Sequence, residues 1–421
     1  MHDGEKYSQV VTLQKHFGFP HKSGWDEMIE YLAPRNQFTW FREITEDLDY
    51  GRVSVKGFGD MLMLGGYSYL GLNKHPLIRQ AVNEAIDRFG TGTAGSRWLA
   101  GHTSLHEELE NLLASFHGTE DAVVFSSGYV ANVSTIAALV GRNDLVISDK
   151  LSHASIVDGC RFSGAGFQRF RCNDLDNLRY QLQKYGNKYK RRLVVVDGVY
   201  SMSGELLEAK EVIDICREYE AALMIDECHS HFVVGKKGGG IKEYFNLKPE
   251  DVMVEMGTLS KAIPSDGGYI AGSSDICNFV RREARGFIYS GSLSAVMVAS
   301  AIAAIKIVQS KGTELIEKLE HNTKLFRNEL LKYGIESPDS RSPIVPIHVG
   351  LETVAAATAA TCHRRGIFIH PVFTPVVPVG KSILRASIMA NHREEDLRHA
   401  AAVIAGAIEE VKQESEQSYA I

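Results

Sequence analysis

Sulfur chemistry is sparse in this sequence. Its six cysteines, Cys160, Cys172, Cys216, Cys228, Cys277 and Cys362, form no CxxC pair and no metal-ligand spacing. That excludes a disulfide framework and a thiolate metal centre, and the thiols read as free in a reducing compartment. A basic surplus is also missing: the net charge is −6 over 421 residues, which removes the electrostatic footprint of nucleic-acid binding. No run is apolar enough to predict a membrane span; the longest, Val296 to Val308, is short and runs over Lys306. Met1 to Lys6 lack the apolar centre of a signal peptide. Repeats and low-complexity tracts are absent. These exclusions leave the expectation of a cytoplasmic, soluble globular protein, of ordinary composition at 44% apolar and 23% charged residues. Its length calls for more than one small core.

Three parts are expected along the chain: an N-terminal arm over 1–60, a large domain over 61–310 and a small C-terminal domain over 311–421. In the arm, Val10–Leu13 and Trp25–Leu32 carry helical patterning, broken at Pro20 and Pro34, and Trp40 and Phe41 suggest packing against the rest of the chain. From Met61 onward, short apolar runs alternate with helical segments. Ala122–Phe125, Leu145–Asp149, Leu193–Asp197 and Ala222–Ile225 read as strands, and Asp251–Glu255 as another from its apolar alternation. Continuous apolar strands separated by helices predict a largely parallel sheet buried on both faces, an α/β fold. Polar residues collect after these strands, at the carboxyl edge where such sheets bind ligands. The small domain reads as α+β, with strands at Ile344–Ile347 and Ser382–Ile388.

One motif misleads. Gly90 to Gly95 fits the dinucleotide fingerprint G-x-G-x-x-G, yet a helix opened by Pro76 precedes it where a strand is required, so nicotinamide binding is rejected. His102 and His106 stand four apart but lack a glutamate between them and a third ligand, and no metal site is expected.

The residues after the strands form a set with a chemical meaning. Ser127-Gly128-Tyr129 lies between a strand and a helix start, where free amides and the helix dipole hold a phosphate. His153, Asp226, His229 and Lys261 each follow a strand. Singly, each has an ordinary explanation: a routine turn, a buried histidine, a solvated lysine. Together they supply what pyridoxal 5'-phosphate requires, namely a lysine for its aldehyde, an anion cradle, and a carboxylate beside its ring nitrogen.

The motifs themselves resemble a known family. Tyr69-Leu70-Gly71-Leu72, Gly95-Ser96-Arg97, Ser127-Gly128-Tyr129 with Asn132, and His153-Ala154-Ser155 occur in its order. Asp226-Glu227, His229-Ser230, Gly257-Thr258-Leu259-Ser260-Lys261, Gly267-Gly268-Tyr269, Pro375, Pro378, Leu384-Arg385 and His392 follow. Over roughly residues 60 to 410 the sequence is similar to the α-oxoamine synthases, pyridoxal-phosphate enzymes of the aspartate-aminotransferase fold (fold type I). The resemblance implies that Lys261 takes the cofactor's aldehyde and removes the amino acid's α-proton. It implies that Asp226 pairs with the ring nitrogen, His153 stacks on the ring and His229 bonds its phenolic oxygen. Ser127, Gly128, Tyr129, Ser201, Thr258 and Ser260 are expected near the cofactor, Arg385 on the substrate carboxylate, and Ser68 at the substrate. The implied reaction is a decarboxylating Claisen condensation of an amino acid with an acyl thioester, on coenzyme A or an acyl-carrier protein, to give an α-aminoketone. A homodimer with shared sites is implied as well.

Several positions depart from the family pattern. Cys228 stands where alanine is common, Ile263-Pro264-Ser265-Asp266 where glycines are usual, Ser68 where asparagine is common, and Gly291 where a threonine touches the neighbouring subunit's phosphate, leaving Ser290 or Ser292 to replace it. Two alternatives stay open: another reaction on this fold, such as transamination or aldol cleavage, and a non-catalytic partner subunit of a heterodimer. Retention of Lys261, His153 and Asp226 weighs against the second.

Overall fold

The structure, a computed structural model, describes residues 24–374 and 376–419; the helical patterning at Val10–Leu13, the break at Pro20, and Pro375 lie outside the described residues. The helix Gly24–Leu32 leads into three strands, β1 (Ile44–Asp47), β2 (Arg52–Val55) and β3 (Gly59–Met63). The central strands are β4 (Asp121–Phe125), β5 (Asp144–Asp149), β6 (Gly166–Phe170), β7 (Arg191–Asp197), β8 (Ala222–Asp226), β9 (Val254–Thr258) and β10 (Gly268–Gly272). They form one seven-stranded sheet in the order β4-β10-β9-β8-β7-β5-β6. Parallel pairing joins β6, β5, β7, β8 and β9 in turn, and β10 runs antiparallel to β9 and β4. Helices cover both faces, so strands such as β5 and β9 are buried at every position.

That two-sided burial explains a shift from the sequence expectation. The strand expected over Asp251–Glu255 lies instead at Val254–Thr258, and Pro249–Asp251 form a 3-10 turn. Alternation is no guide to a strand covered on both faces, and the small residues Gly257 and Thr258 belong inside it. Gly257 is required by its neighbour: a Cβ there would fall 2.4 Å from the Tyr269 hydroxyl on β10.

The third sheet joins β11 (Ile344–Gly350), β14 (Ser382–Ser387) and β13 (His370–Val372). The short β12 (Ile367–Phe368) instead pairs parallel with β3, which ties the N-terminal strands to the C-terminal part of the chain. Trp40 packs edge-on against Phe373 with ring centroids 5.5 Å apart, as expected, whereas Phe41 is 94% exposed and does not pack into the protein as the sequence suggested. The helix Ala295–Leu331 runs between the two main cores: Val298 and Ile305 are buried in one, Phe326 and Leu330 in the other. It is the one described helix long and apolar enough to cross a membrane, and 61% of its apolar window is buried inside the molecule.

The dinucleotide-like glycines behave as expected. The helix Pro76–Phe89 ends at Gly90, whose φ of +71° favours glycine, and the segment to Gly95 is irregular.

Candidate active site

Four side chains from distant parts of the sequence, Tyr69, His229 and Arg385 buried and Lys261 half-buried, meet at the carboxyl edge of the sheet. Lys261, three residues past β9, places its Nζ 2.8 Å from His229 Nε2. The other ring nitrogen, Nδ1, lies 2.8 Å from the Tyr69 hydroxyl, to which Arg385 Nη2 donates at 3.4 Å. One proton arrangement satisfies the whole row: Arg385 donates to Tyr69, Tyr69 to His229 Nδ1, and His229 Nε2–H to an uncharged Lys261 amine. The electrostatics agree. Burial, reinforced by the positive charge of Arg385, pushes the lysine below its ordinary value, and burial holds the imidazole well below the usual histidine range. A neutral amine is the nucleophilic form of lysine.

Beside this row, Asp226 ends β8 only 4% exposed. It accepts from Asn132 Nδ2 at 2.6 Å and from the Cys228 amide at 2.9 Å. No cation among the described residues forms an ion pair with it. Asn132 also donates to Ser155 Oγ, and Ser155 Oγ lies 2.7 Å from His153 Nδ1. One asparagine therefore positions both the carboxylate and the histidine that caps the helix Ala154–Phe162. Burial lowers the His153 pKa, partly opposed by the charge of Asp226. Across the strand pair, Asp197 faces Asp226, and burial together with that negative charge drives its carboxyl well above the usual range.

The anion cradle follows from a glycine pair. Ser127 caps the helix Gly128–Leu139 by accepting from the Val130 amide at 3.1 Å. A Cβ on Gly128 would come 3.3 Å from Thr258 Oγ1, and one on Gly268 would sit 2.5 Å from the Gly128 Cα. Only glycine lets the helix start approach the lysine loop this closely. The Thr258 and Ser260 hydroxyls stand 2.9 Å apart on that loop. The helix start and the Ser127, Thr258 and Ser260 hydroxyls thus lie at one edge of the sheet, with the Thr258 hydroxyl donating to the Gly267 carbonyl at 3.1 Å. Tyr129 is half-exposed, and its hydroxyl donates to Asp158 at 2.6 Å.

Residues 59–404 match the family described as aminotransferase class I and II. The 8-amino-7-oxononanoate synthase of Geobacter metallireducens is 41% identical over 380 residues, 90% of this chain and 96% of that protein. The serine palmitoyltransferase of Bacteriovorax stolpii is 36% identical over 371 residues, covering 88% and 87% of the two chains. The chain belongs to the α-oxoamine synthases. A solved serine palmitoyltransferase holding pyridoxal phosphate superposes with a TM-score of 0.89 at 30% identity, over 95% of this chain and 99% of the other. The fold is accordingly fold type I, the cofactor is pyridoxal 5'-phosphate, and the chain is a pyridoxal-phosphate-dependent acyltransferase of this family. The donor set fits the group: a lysine whose pKa burial lowers, a glycine-built turn at a helix start, and a buried carboxylate with no ion-pair partner among the described residues.

Arg385 on β14 is the complementary case, a guanidinium 5% exposed with no carboxylate partner among the described residues. Its Nε donates to the Ser201 carbonyl at 2.7 Å and its Nη1 to Ser387 Oγ at 2.6 Å, while its plane lies 5.1 Å from the Tyr67 ring. Ser201 reaches the site through that carbonyl. Ser68 lines the cavity that opens over Lys261, its hydroxyl on Asn73 at 2.9 Å. Ser292 is tied to the glycine loop, its hydroxyl within 2.7–3.1 Å of Thr93 Oγ1, Gly95 O and Gly101 O, whereas Ser290 donates to the neighbouring Gly291 carbonyl. Cys228 is packed with its sulfur 3.3 Å from Met256 Sδ, and burial raises its thiol pKa well above the usual value.

Sequence reasoning assigned no role to Tyr69, Asn132 or Asp197. The first two stood in family-like motifs, and Asp197 ended an apolar strand as Asp226 does, which was the available signal. His102 and His106 do not converge on a third donor: His106 bonds Thr103 and the Leu293 carbonyl. A different trio, His117, His231 and Glu255, brings donor atoms within 4.8 Å of one another. Both rings lie 2.8 Å from the Tyr269 hydroxyl and Lys242 pairs with Glu255, while His117 Nδ1, His231 Nε2 and Glu255 Oε2 are buried without a hydrogen-bond partner.

Proposed function

We propose that the residues gathered at Lys261 condense an α-amino acid with an acyl thioester, carbon dioxide and a thiol leaving as an α-aminoketone forms. Bound pyridoxal phosphate supplies the electron sink that makes the α-carbon a nucleophile. Lys261 would hold the cofactor's aldehyde, and its amine is the group that would accept the amino acid's α-proton. Asp226 would balance the ring-nitrogen charge, His153 would contact the ring, and His229 would donate to its phenolic oxygen. Ser127, Gly128, Tyr129, Thr258 and Ser260 hold the phosphate. Arg385, preset by Ser201, Ser387 and Tyr69, receives the amino acid's carboxylate as a fork. The new carbon–carbon bond expels the thiol, the carboxylate leaves as carbon dioxide, and a proton returns to the α-carbon.

The observation that carries this reading is the meeting of Lys261 Nζ and His229 Nε2 at 2.8 Å, beside a buried Asp226 that forms no ion pair among the described residues. Lys261→Ala tests it. The variant should lose the borohydride-sensitive chromophore and thioester-dependent carbon dioxide release, and retention of both would refute the assignment.

A homodimer belongs to the same proposal. Leu99 is 86% exposed and Tyr289 74% exposed at the glycine loop and at the segment joined to it through Ser292, an apolar face suited to a second copy. Light scattering at the mass of two chains is the expected result. A cytoplasmic location is proposed with it, to be checked by fractionation.

A further inference from the structure

A second buried cluster adjoins the segments that carry His229 and Lys261. His117 ends the helix Ser104–His117, His231 stands two residues past His229, and Glu255 lies on β9, six residues before Lys261. All three are more than nine-tenths buried. The two imidazoles stack with ring centroids 3.9 Å apart, and each turns one nitrogen to the Tyr269 hydroxyl at 2.8 Å, His117 through Nε2 and His231 through Nδ1. The opposite nitrogens, His117 Nδ1 and His231 Nε2, have no hydrogen-bond partner, and neither has Glu255 Oε2. Three buried polar atoms left in this state are costly unless something else engages them.

Their spacing suits a metal ion. Donor atoms of the three residues lie within 4.8 Å of one another, and His231 Nε2 is 3.4 Å from Glu255 Oε2. Tetrahedral bonds of about 2.0–2.1 Å set ligand atoms roughly 3.4 Å apart. Tyr269 provides the outer support that ligating histidines need. Its oxygen has two lone pairs, so both rings can donate to it, which leaves each a bare lone pair on its other nitrogen. Burial keeps the rings in the neutral form that ligates, with His231 pushed down to about 3 and His117 well below the usual range. Lys242 engages Glu255 through the other oxygen, Oε1, and donates to the His117 carbonyl at 2.6 Å. A cavity of about 880 Å³, with His117, Gly239 and Lys242 in its lining, opens beside the cluster.

We infer that His117, His231 and Glu255 bind a divalent ion of the zinc type, with water from this cavity in the fourth position. Two imidazoles and one carboxylate suit zinc, whereas calcium and magnesium take oxygen donors. The ion joins a helix end, the loop after β8 and strand β9, and so braces the segments that carry His229 and Lys261. It is a structural site, separate from the cofactor residues and independent of the condensation proposed above. Lys242 weakens it, because its ammonium holds Glu255 and repels a second cation.

The test uses the full-length holoenzyme, stripped with a chelator, desalted and titrated with zinc chloride. One zinc per chain should survive gel filtration, as read by elemental analysis, and zinc should raise the thermal midpoint. Cobalt(II) in its place should give the intense visible bands of a four-coordinate ion, seen in difference against the zinc-loaded protein. His117→Gln and His231→Gln should abolish both signals, and Tyr269→Phe should weaken binding about ten- to a hundredfold. Lys242→Gln should tighten zinc about tenfold, a gain that no loss of folding can imitate. Wild-type protein that retains no zinc, or histidine variants that retain it as wild type does, would overturn the inference. Should the histidine variants fail to fold, Lys242→Gln decides: tighter binding upholds the site, and equal or weaker binding overturns it.

Discussion

Replacing Asp226 by asparagine should affect the cofactor-free and cofactor-bound protein very differently. Without cofactor, the carboxylate is buried, accepts from Asn132 at 2.6 Å and the Cys228 amide at 2.9 Å, and forms no ion pair among the described residues. Asparagine keeps one acceptor and turns an NH₂ toward the other donor. Losing one such bond costs about 1–3 kcal/mol, a loss offset by no longer burying an unpaired charge. The apo protein should therefore shift little in thermal midpoint. With pyridoxal phosphate bound, the carboxylate has its partner in the ring nitrogen. Removing one member of a buried ion pair costs about 3–5 kcal/mol, which weakens cofactor binding by about two to four orders of magnitude. Thermal midpoints of wild type and Asp226→Asn, each measured with and without a cofactor titration, separate these terms. The stabilisation by cofactor should shrink sharply while the apo values stay close. Unchanged cofactor affinity, or an apo protein destabilised as much as the holo form, would refute the pairing.

Arg385→Ala should weaken amino-acid binding about ten- to a hundredfold, the loss of a charge-assisted fork, with cofactor still bound; equilibrium titration of the holoenzyme reads this directly. The same variant should change a pH profile. Capture of pyridoxal phosphate by the apoenzyme needs the neutral Lys261 amine, so its rate climbs with pH, with a midpoint below the ordinary lysine value because burial and the Arg385 charge disfavour the ammonium. Removing that charge should move the midpoint upward, and a downward shift would contradict the assignment. Gly268→Ala forces a Cβ to within 2.5 Å of the Gly128 Cα, so the helix start must retreat from the lysine loop. A loss of about 1–3 kcal/mol in folding stability, together with weaker phosphate retention, is expected in denaturation and dialysis experiments. Tyr69→Phe leaves His229 Nδ1 without its 2.8 Å partner, and steady-state kinetics should show kcat falling about tenfold or more while cofactor remains bound.

Much of this was legible in the residues. The alternation of apolar runs with helices located β4, β5, β7 and β8, because strands covered on both faces carry continuous Val, Ile and Leu. Lys261, Asp226 and His153 stood out because they follow such strands. The short edge elements were harder. β6 contains Gln168 and Arg169 and is only partly buried, so its composition does not mark a strand. β9 was misplaced by three residues because the apolar alternation before it belongs to a turn, and glycine inside a strand becomes readable only once Tyr269 is seen against it. Long-range geometry left the least trace. Nothing near Tyr69 in sequence says that it joins His229 to Arg385, 160 and 316 residues away. The role of Asn132 as a support shared by Asp226 and His153 likewise depends on three separate strand ends converging.

The account stands most directly on one spectrum. Purified holoenzyme is titrated with glycine, alanine, serine and other amino acids in the visible range, and an acyl thioester is then added while carbon dioxide is collected. The account predicts that one amino acid perturbs the cofactor band, and that thioester addition produces a new long-wavelength absorbance together with stoichiometric carbon dioxide. Conversion of the bound cofactor to its pyridoxamine form, indifferent to any thioester, would contradict it and make the chain an aminotransferase.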